Sequence, residues 1–169
     1  MSAFLIISIM ANDRPGLVGT LSRIVKDHEG NWLESRMSHL AGKFAGIVQV
    51  QVSNAHKDAL KSALSELKSE GWFVTIEDSE SSLQTQANAK ISIVGNDRPG
   101  IVKDVSQALA KLDVNVLELN TRFESAAMTA EALFKTRADV HTPEGIDLDA
   151  VRDALEDISN ELMVEIHTL

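Results

Sequence analysis

The pentapeptide Asn-Asp-Arg-Pro-Gly occurs twice in the chain, at residues 12–16 and again at residues 96–100. Each copy follows a short apolar run and precedes a segment with helical periodicity, which indicates a junction between a strand and a helix. Proline suits the first helical position, and glycine lets another molecule approach the backbone closely. The N–H groups at such a helix start, together with the helix dipole, form a site for a small anion such as a carboxylate.

The predicted donors are the N–H groups of residues 16–18 in the first copy and residues 100–102 in the second. Asn or Asp side chains beside them would accept a hydrogen bond from an ammonium group, so each junction suits a zwitterionic amino acid. Helix capping by Asn or Asp is the alternative, worth about 1 kcal/mol. The duplication of the pentapeptide does not decide between ligand binding and helix capping, because a duplicated fold also duplicates its helix caps. The copies then diverge, with Gly19-Thr20 against Lys103-Asp104.

The repeat extends beyond the pentapeptide at a constant offset of 84 positions, since Asn31-Trp32-Leu33-Glu34 matches Asn115-Val116-Leu117-Glu118. In each half an apolar run is followed by an amphipathic segment, two strand-like segments, a second amphipathic segment and a last strand. We expect Gly30 to end the first helix as a C′ glycine. The predicted strands span residues 4–9, 32–40, 44–53 and 72–76 in the first half, and 91–94, 115–123, 127–138 and 162–166 in the second.

This order, β-α-β-β-α-β in each half, predicts an α+β protein of two ferredoxin-like units. Each unit is expected to have an antiparallel four-stranded sheet with both helices on one face. We predict the first domain at residues 1–78, a polar linker at 79–88 and the second domain at 89–169. Units of this size bury a modest fraction of their surface, so a homodimer or packing between the halves is expected.

Composition narrows the functional classes. The formal net charge of -9 repels phosphate backbones, so direct nucleic-acid binding is not expected. The chain has no cysteine, its five histidines are scattered, and no catalytic arrangement of side chains emerges. We therefore predict no metal, no cofactor and no enzymatic activity. The first apolar run is too short to span a bilayer, and a cytoplasmic protein is expected.

The element order, with Asn-Asp-Arg-Pro-Gly after the first strand of each half, resembles the ACT domain, a regulatory module that commonly binds amino acids. The resemblance covers nearly the whole chain, and it is specific at the pentapeptide. In this family the ligand lies against the loop between the first strand and the first helix. Together with the backbone donors, this implies the binding residues Asn12, Asp13, Pro15, Gly16, Leu17, Val18, Asn96, Asp97, Pro99, Gly100, Ile101 and Val102.

A chain of this length filled by two ACT domains is similar to the family of transcriptional repressors of the glycine cleavage system. This resemblance implies a regulator that responds to a small amino acid such as glycine and controls transcription through a partner, a DNA-binding transcription regulator. Two alternatives stay open. One is a protein-interaction module without a ligand, and the other is a stand-alone regulatory relative of an ACT-containing folate or phosphoserine enzyme.

Overall fold

The computed structural model describes residues 1–80, 85–125 and 132–169. The chain forms two compact units, Met1–Leu83 and Gln84–Leu169, called here the first unit and the second unit. The first unit contains β1 (Ser2–Asn12), α1 (Leu17–Asp27), β2 (Asn31–Leu40), β3 (Lys43–Ser53), α2 (Lys57–Glu66) and β4 (Phe73–Ser79). The second contains β5 (Ala89–Asn96), α3 (Ile101–Lys111), β6 (Asn115–Ser125), β7 (Ala132–His141), α4 (Leu148–Glu156) and β8 (Met163–Thr168).

Each unit has one antiparallel four-stranded sheet, and the two sheets have the same topology. The strand order is β2-β3-β1-β4 in the first unit and β6-β7-β5-β8 in the second. The strand that precedes the junction, β1 or β5, is therefore central and pairs on both sides. The predicted fold class, two ferredoxin-like β-α-β-β-α-β units, is confirmed.

Each unit has its own apolar core between the sheet and its helices. Alternate residues of β1 are buried, and they pack in one cluster with Leu21 of α1 and Leu60 of α2, both fully buried. In the second unit, Ile93 of β5 packs with Val105 of α3 and Val151 of α4 in the same way. Because the strand residues alternate between faces, the helices cover one face of each sheet.

The end of α1 differs from the prediction. Gly30 does not adopt a left-handed conformation. That conformation belongs to Glu29, with a φ of 56°. A Cβ on Gly30 would lie 2.9 Å from Val25 Cγ1 and 3.2 Å from Val50 Cγ1, so glycine is needed there for close packing. The second unit repeats the conformation at Asp113, with a φ of 53°.

Several strand boundaries also differ from the predicted ones. The strand predicted at 127–138 begins, within the described residues, at Ala132 and continues to His141, and residues 127–131 of that prediction lie outside the described ranges. Strand β4 ends at Ser79, the first residue of the predicted linker. Residues 81–84 of that linker also lie outside the described ranges.

Candidate functional site

The two junctions share an unusual backbone conformation at the glycine. Gly16 has φ 93° and ψ 0°, and Gly100 has φ 88° and ψ 0°. These are the dihedral angles of the third residue of a type II turn, for which Pro-Gly is a favoured sequence. Pro15 was predicted at the first helical position, and this is wrong because α1 begins at Leu17, directly after the turn.

Glycine also occupies the N-cap position of both helices. The Gly16 carbonyl accepts from the Thr20 N–H at 2.9 Å, and the Gly100 carbonyl accepts from the Asp104 N–H at 3.0 Å. Glycine has no side chain, and no Asn or Asp side chain among the residues that the structure describes caps either helix start, so the capping alternative is wrong for these residues.

Several N–H groups at the first junction stay available. Within the described residues, no carbonyl or side chain accepts from the N–H groups of Leu17, Val18 and Gly19. Pro15 and Gly16 are exposed, whereas the Leu17 side chain is 4% exposed and belongs to the core. Leu17 can therefore contribute its backbone to a ligand but not its side chain.

The second junction offers fewer free donors. The Ile101 N–H donates to the Arg98 carbonyl at 3.3 Å and closes the turn. Only the N–H groups of Val102 and Lys103 remain without an acceptor among the described residues of this helix start. The Ile101 side chain is 4% exposed and packs in the core, as Leu17 does.

The two junctions differ most clearly in the charge of the first helical turn that follows them. Helix α1 has no acidic residue in its first turn, whereas α3 has Asp104 there. Asp104 Oδ2 accepts from Arg98 Nη2 at 2.7 Å, so the second junction already holds a carboxylate beside the helix start. In the first unit, Nη2 of Arg14, the counterpart of Arg98, instead lies 3.7 Å from Glu70 Oε2. The positive end of α1 is therefore the one without a carboxylate of its own.

The predicted Asn and Asp side chains also make different contacts in the two units. The Asn12 side-chain oxygen accepts from Lys43 Nζ, across the paired strands β1 and β3. Asn96 does the opposite and donates through Nδ2 to Glu161 Oε2 at 2.8 Å. Asp13 Oδ2 lies 3.7 Å from His39 Nε2.

Backbone hydrogen bonds hold Asp13 and Asp97, the residues that follow Asn12 and Asn96. The Asp13 N–H donates to the Gly42 carbonyl at 2.9 Å, and the Asp97 N–H donates to the Ala132 carbonyl at 2.8 Å. The sequence did not identify Lys43 or Glu161 as neighbours of the junctions. Lys43 could have been predicted from the pairing of β1 with β3, because a register that places Lys43 opposite Asn12 brings the two side chains together.

Charged groups elsewhere tie helices and strands together. Asp78 of β4 lies 2.7 Å from the ammonium groups of both Lys57 and Lys61 of α2, and these hydrogen bonds hold the pKa of Asp78 below its usual value. The hydrogen bond from Lys135 lowers the pKa of Glu124 in the second unit in the same way. The Asp78 contacts lie at the end of β1 opposite to the first junction, since Asp78 pairs with Leu5, whereas Glu124 pairs with Leu133, the β7 partner of Asn96.

No group of three or more His, Cys, Asp or Glu side chains suited to a metal ion occurs within the ranges 1–80, 85–125 and 132–169. Among those same residues, no helix has the length and apolar character needed to cross a membrane.

Comparison with known families identifies both units. A family model of the ACT domain matches residues 3–82, and a second model of the ACT domain matches residues 83–164. The chain belongs to the ACT domain family. It contains two ACT domains in tandem, and this membership implies regulation through the binding of small ligands.

Two crystal structures resemble the whole chain. One, of an unknown protein from Galdieria sulphuraria, is 25% identical with a TM-score of 0.81, and the match covers 100% of this chain and 99% of that one. The other, described as a "putative glycine cleavage system transcriptional repressor", is 14% identical with a TM-score of 0.77 and covers the same shares of both chains. At this identity the second structure supports the fold alone. The comparison with curated proteins gave no match.

Proposed function

We propose that this tandem ACT protein is a non-enzymatic cytoplasmic regulator and that the first-unit junction binds a small amino acid such as glycine. The observation that carries the proposal is the start of α1. The N–H groups of Leu17, Val18 and Gly19 lack acceptors among the described residues, and no acidic side chain lies in that first turn. A ligand carboxylate would accept from these groups at the positive end of the helix dipole.

A neighbouring acceptor would hold the ammonium group of the same ligand. The exposed Asp13 carboxylate, directly after β1, supplies that acceptor, whereas the Asn12 oxygen beside it already accepts from the Lys43 ammonium group. The binding residues that we propose in the first unit are Asn12, Asp13, Pro15, Gly16, Leu17 and Val18. We propose their counterparts Asn96, Asp97, Pro99, Gly100, Ile101 and Val102 as a second junction with weaker affinity for carboxylates, because Asp104 lies beside it.

The output of the regulator is proposed to be transcription, exerted through a DNA-binding protein partner. The net charge of -9 opposes direct contact with nucleic acid, so a second protein has to supply the DNA contacts. Glycine cleavage genes are the proposed target, on the basis of the structural resemblance to a protein described as their repressor. The ligand controls the partner only when it binds the two functional states with different affinities.

A charge placed at the start of α1 tests the binding site directly. Thr20→Asp gives the first unit the first-turn carboxylate that Asp104 gives the second, and it favours the helix by about 0.3–1 kcal/mol. It repels a ligand carboxylate at the same place, so we expect folding to be kept and glycine binding to be lost. Ser22→Asp is the matched control, because it adds the same charge to α1 beyond the first turn.

The measurement is the thermal shift of the full chain over a glycine titration. A ligand at 100 times its Kd adds about 2.7 kcal/mol, which corresponds to roughly 10–20 °C in the transition of a unit of 60–100 residues. Wild type and Ser22→Asp should both show the shift, and Thr20→Asp should not. Equal shifts in all three proteins would place the ligand elsewhere, and no shift with any amino acid would overturn the sensing role.

A protein-interaction module without a ligand is the second candidate function. It is favoured by exposed apolar side chains on the strands of the first sheet, where Phe73 is 67% exposed and lies opposite Met10, which is 38% exposed. The titration separates the two functions. An interaction module without a ligand shows no thermal shift with any amino acid, whereas a sensor does.

A further inference from the structure

His39 lies beside the first junction, although it belongs to a different element. It is part of β2, the edge strand of the first sheet, and pairs with Phe44 of β3. Phe44 packs against the core under the helices, so His39, directly opposite, is on the face of the sheet that carries α1. Its Nε2 lies 3.7 Å from Oδ2 of Asp13. The imidazole is therefore next to the carboxylate that we propose as the acceptor for the ligand's ammonium group.

The charge next to the Asp13 carboxylate is set by the imidazole. No other cationic side chain, among those that the structure describes, lies within 4 Å of this carboxylate. Lys43 donates instead to the side chain of the preceding residue, Arg14 lies 3.7 Å from Glu70 Oε2, and the first turn of α1 has no charged side chain. Lysine and arginine keep their charge between about pH 5 and pH 8, whereas histidine changes its charge in that range. His39 is therefore the cation at this carboxylate whose charge depends on pH.

The second unit has no imidazole at the equivalent place. At the constant offset of 84 positions, His39 corresponds to Phe123, which pairs with Phe134 as His39 pairs with Phe44. Phe123 is exposed and carries no charge at any pH. Of the two units, the first alone therefore has a side chain at this position that can change its charge.

We propose that His39 makes amino-acid binding at the first junction depend on pH, because its protonated form competes with the ligand's ammonium group for the Asp13 carboxylate. The inference rests on the proposed function, since it concerns the same ligand and the same site. A histidine is mostly protonated below about pH 6, and an imidazolium here attracts the carboxylate and repels the ammonium group. Above about pH 7 a neutral imidazole leaves the negative charge of Asp13 to the ligand. Affinity for the amino acid therefore rises with pH.

The size of the effect is limited by solvent. The side chains of His39 and Asp13 are 57% and 43% exposed, so water and salt screen the attraction between them. An exposed ion pair of this kind changes an equilibrium constant by roughly 1.5-fold to fivefold. The Kd for glycine should therefore be larger by that factor at about pH 5.5 than at about pH 7.5. Glycine is a zwitterion at both pH values, so the charge of the ligand does not change.

The experiment is a calorimetric titration of the full chain with glycine at these two pH values. His39→Gln is uncharged at both, so its Kd should equal the wild-type value at the higher pH throughout. His39→Lys is charged at both, so its Kd should equal the wild-type value at the lower pH throughout. His56→Gln is the matched control. His56 of the same unit has its Nδ1 3.3 Å from Glu29 Oε2, so this variant should keep the wild-type dependence on pH.

The outcomes separate this inference from the proposed function. A pH dependence that is lost in both His39 variants and kept in His56→Gln supports the competition. A wild-type Kd that is equal at both pH values, or larger at the higher pH, overturns the role of His39 while glycine still binds. A pH dependence that persists in His39→Gln overturns it as well. Absence of binding by glycine or any other amino acid at both pH values overturns the proposed function, and this inference with it.

Discussion

Replacement of Gly16 by alanine tests whether the left-handed turn sets the geometry of the junction. Gly16 has a φ of 93°, and a Cβ built on it meets no atom within 4 Å. The loss of stability in Gly16→Ala therefore comes from the backbone conformation and not from a clash with neighbouring atoms. A residue with a side chain loses roughly 1–2 kcal/mol in a left-handed conformation. Alanine also restricts the unfolded chain more than glycine does, and this stabilises the folded state by about 0.4–1 kcal/mol. The expected net loss is about 1 kcal/mol.

Gly19→Ala is the matched control for this prediction. Gly19 lies three residues further along, inside α1, and a Cβ there also meets nothing within 4 Å. Gly19 is the third residue of α1, so the same substitution is expected to gain up to about 0.8–1.0 kcal/mol, the value for a helix interior, because alanine favours the helix more than glycine does. Two identical chemical changes in neighbouring turns of one chain are therefore expected to shift stability in opposite directions.

Scanning calorimetry of the full chain measures both shifts. For a domain of 60–100 residues, 1 kcal/mol corresponds to about 4–8 °C in Tm. We expect the transition of the first unit to fall by roughly that amount in Gly16→Ala and to rise by a similar amount in Gly19→Ala. Gly100→Ala, with a φ of 88°, should lower the transition of the second unit. A neutral or raised Tm in Gly16→Ala, with Gly19→Ala behaving as expected, would refute the argument.

Two further predictions concern stability away from the junctions. Thr136→Val should stabilise the second unit by about 1 kcal/mol, because it removes a buried hydroxyl without a partner, and chemical denaturation measures this; a loss of stability would mean that the hydroxyl is paired. Asp78→Asn should lower Tm at neutral pH, because the carboxylate bonds to Lys57 and Lys61 and its pKa is lowered in the folded state. The stabilisation by Asp78 is fully present above the ordinary Asp pKa of about 3.9 and is lost as the pH falls through the lower pKa of the folded state. The Tm values of wild type and Asp78→Asn should therefore converge in acid. Because salt screens the ion pairs, the Tm of wild type should also respond to salt differently from that of Asp78→Asn. Parallel melting curves for wild type and Asp78→Asn across the whole pH range would contradict this role of Asp78.

The order of the elements was predictable because its causes are local. Runs of β-branched residues, helical periodicity after Pro15 and Pro99, and the repeated pentapeptide each act within a few residues of the chain. The repeat also predicted that both sheets would share one topology, since equal patterns at a constant offset bury equal faces. The pairs Ile9 with Gly46 and Ile93 with Thr136 show the same register in both units.

The details that escaped prediction depend on contacts between distant residues. Gly30 looked like a helix terminator, but its role depends on Val25 and Val50, which approach it only in the folded unit. The contacts of Asn12 and Asn96 differ because Lys43 and Glu161 reach them from other elements. An identical pentapeptide therefore gives two different surroundings.

The duplication supplies an internal comparison that decides which differences bear on binding. Both junctions keep the left-handed glycine, so the turn alone does not distinguish a ligand site from a structural one. What differs is the charge of the first turn, through Thr20 and Asp104. This difference favours an anion at the first junction. A ligand that occupied both junctions equally would have to tolerate it, so unequal occupancy of the two junctions is the simpler expectation.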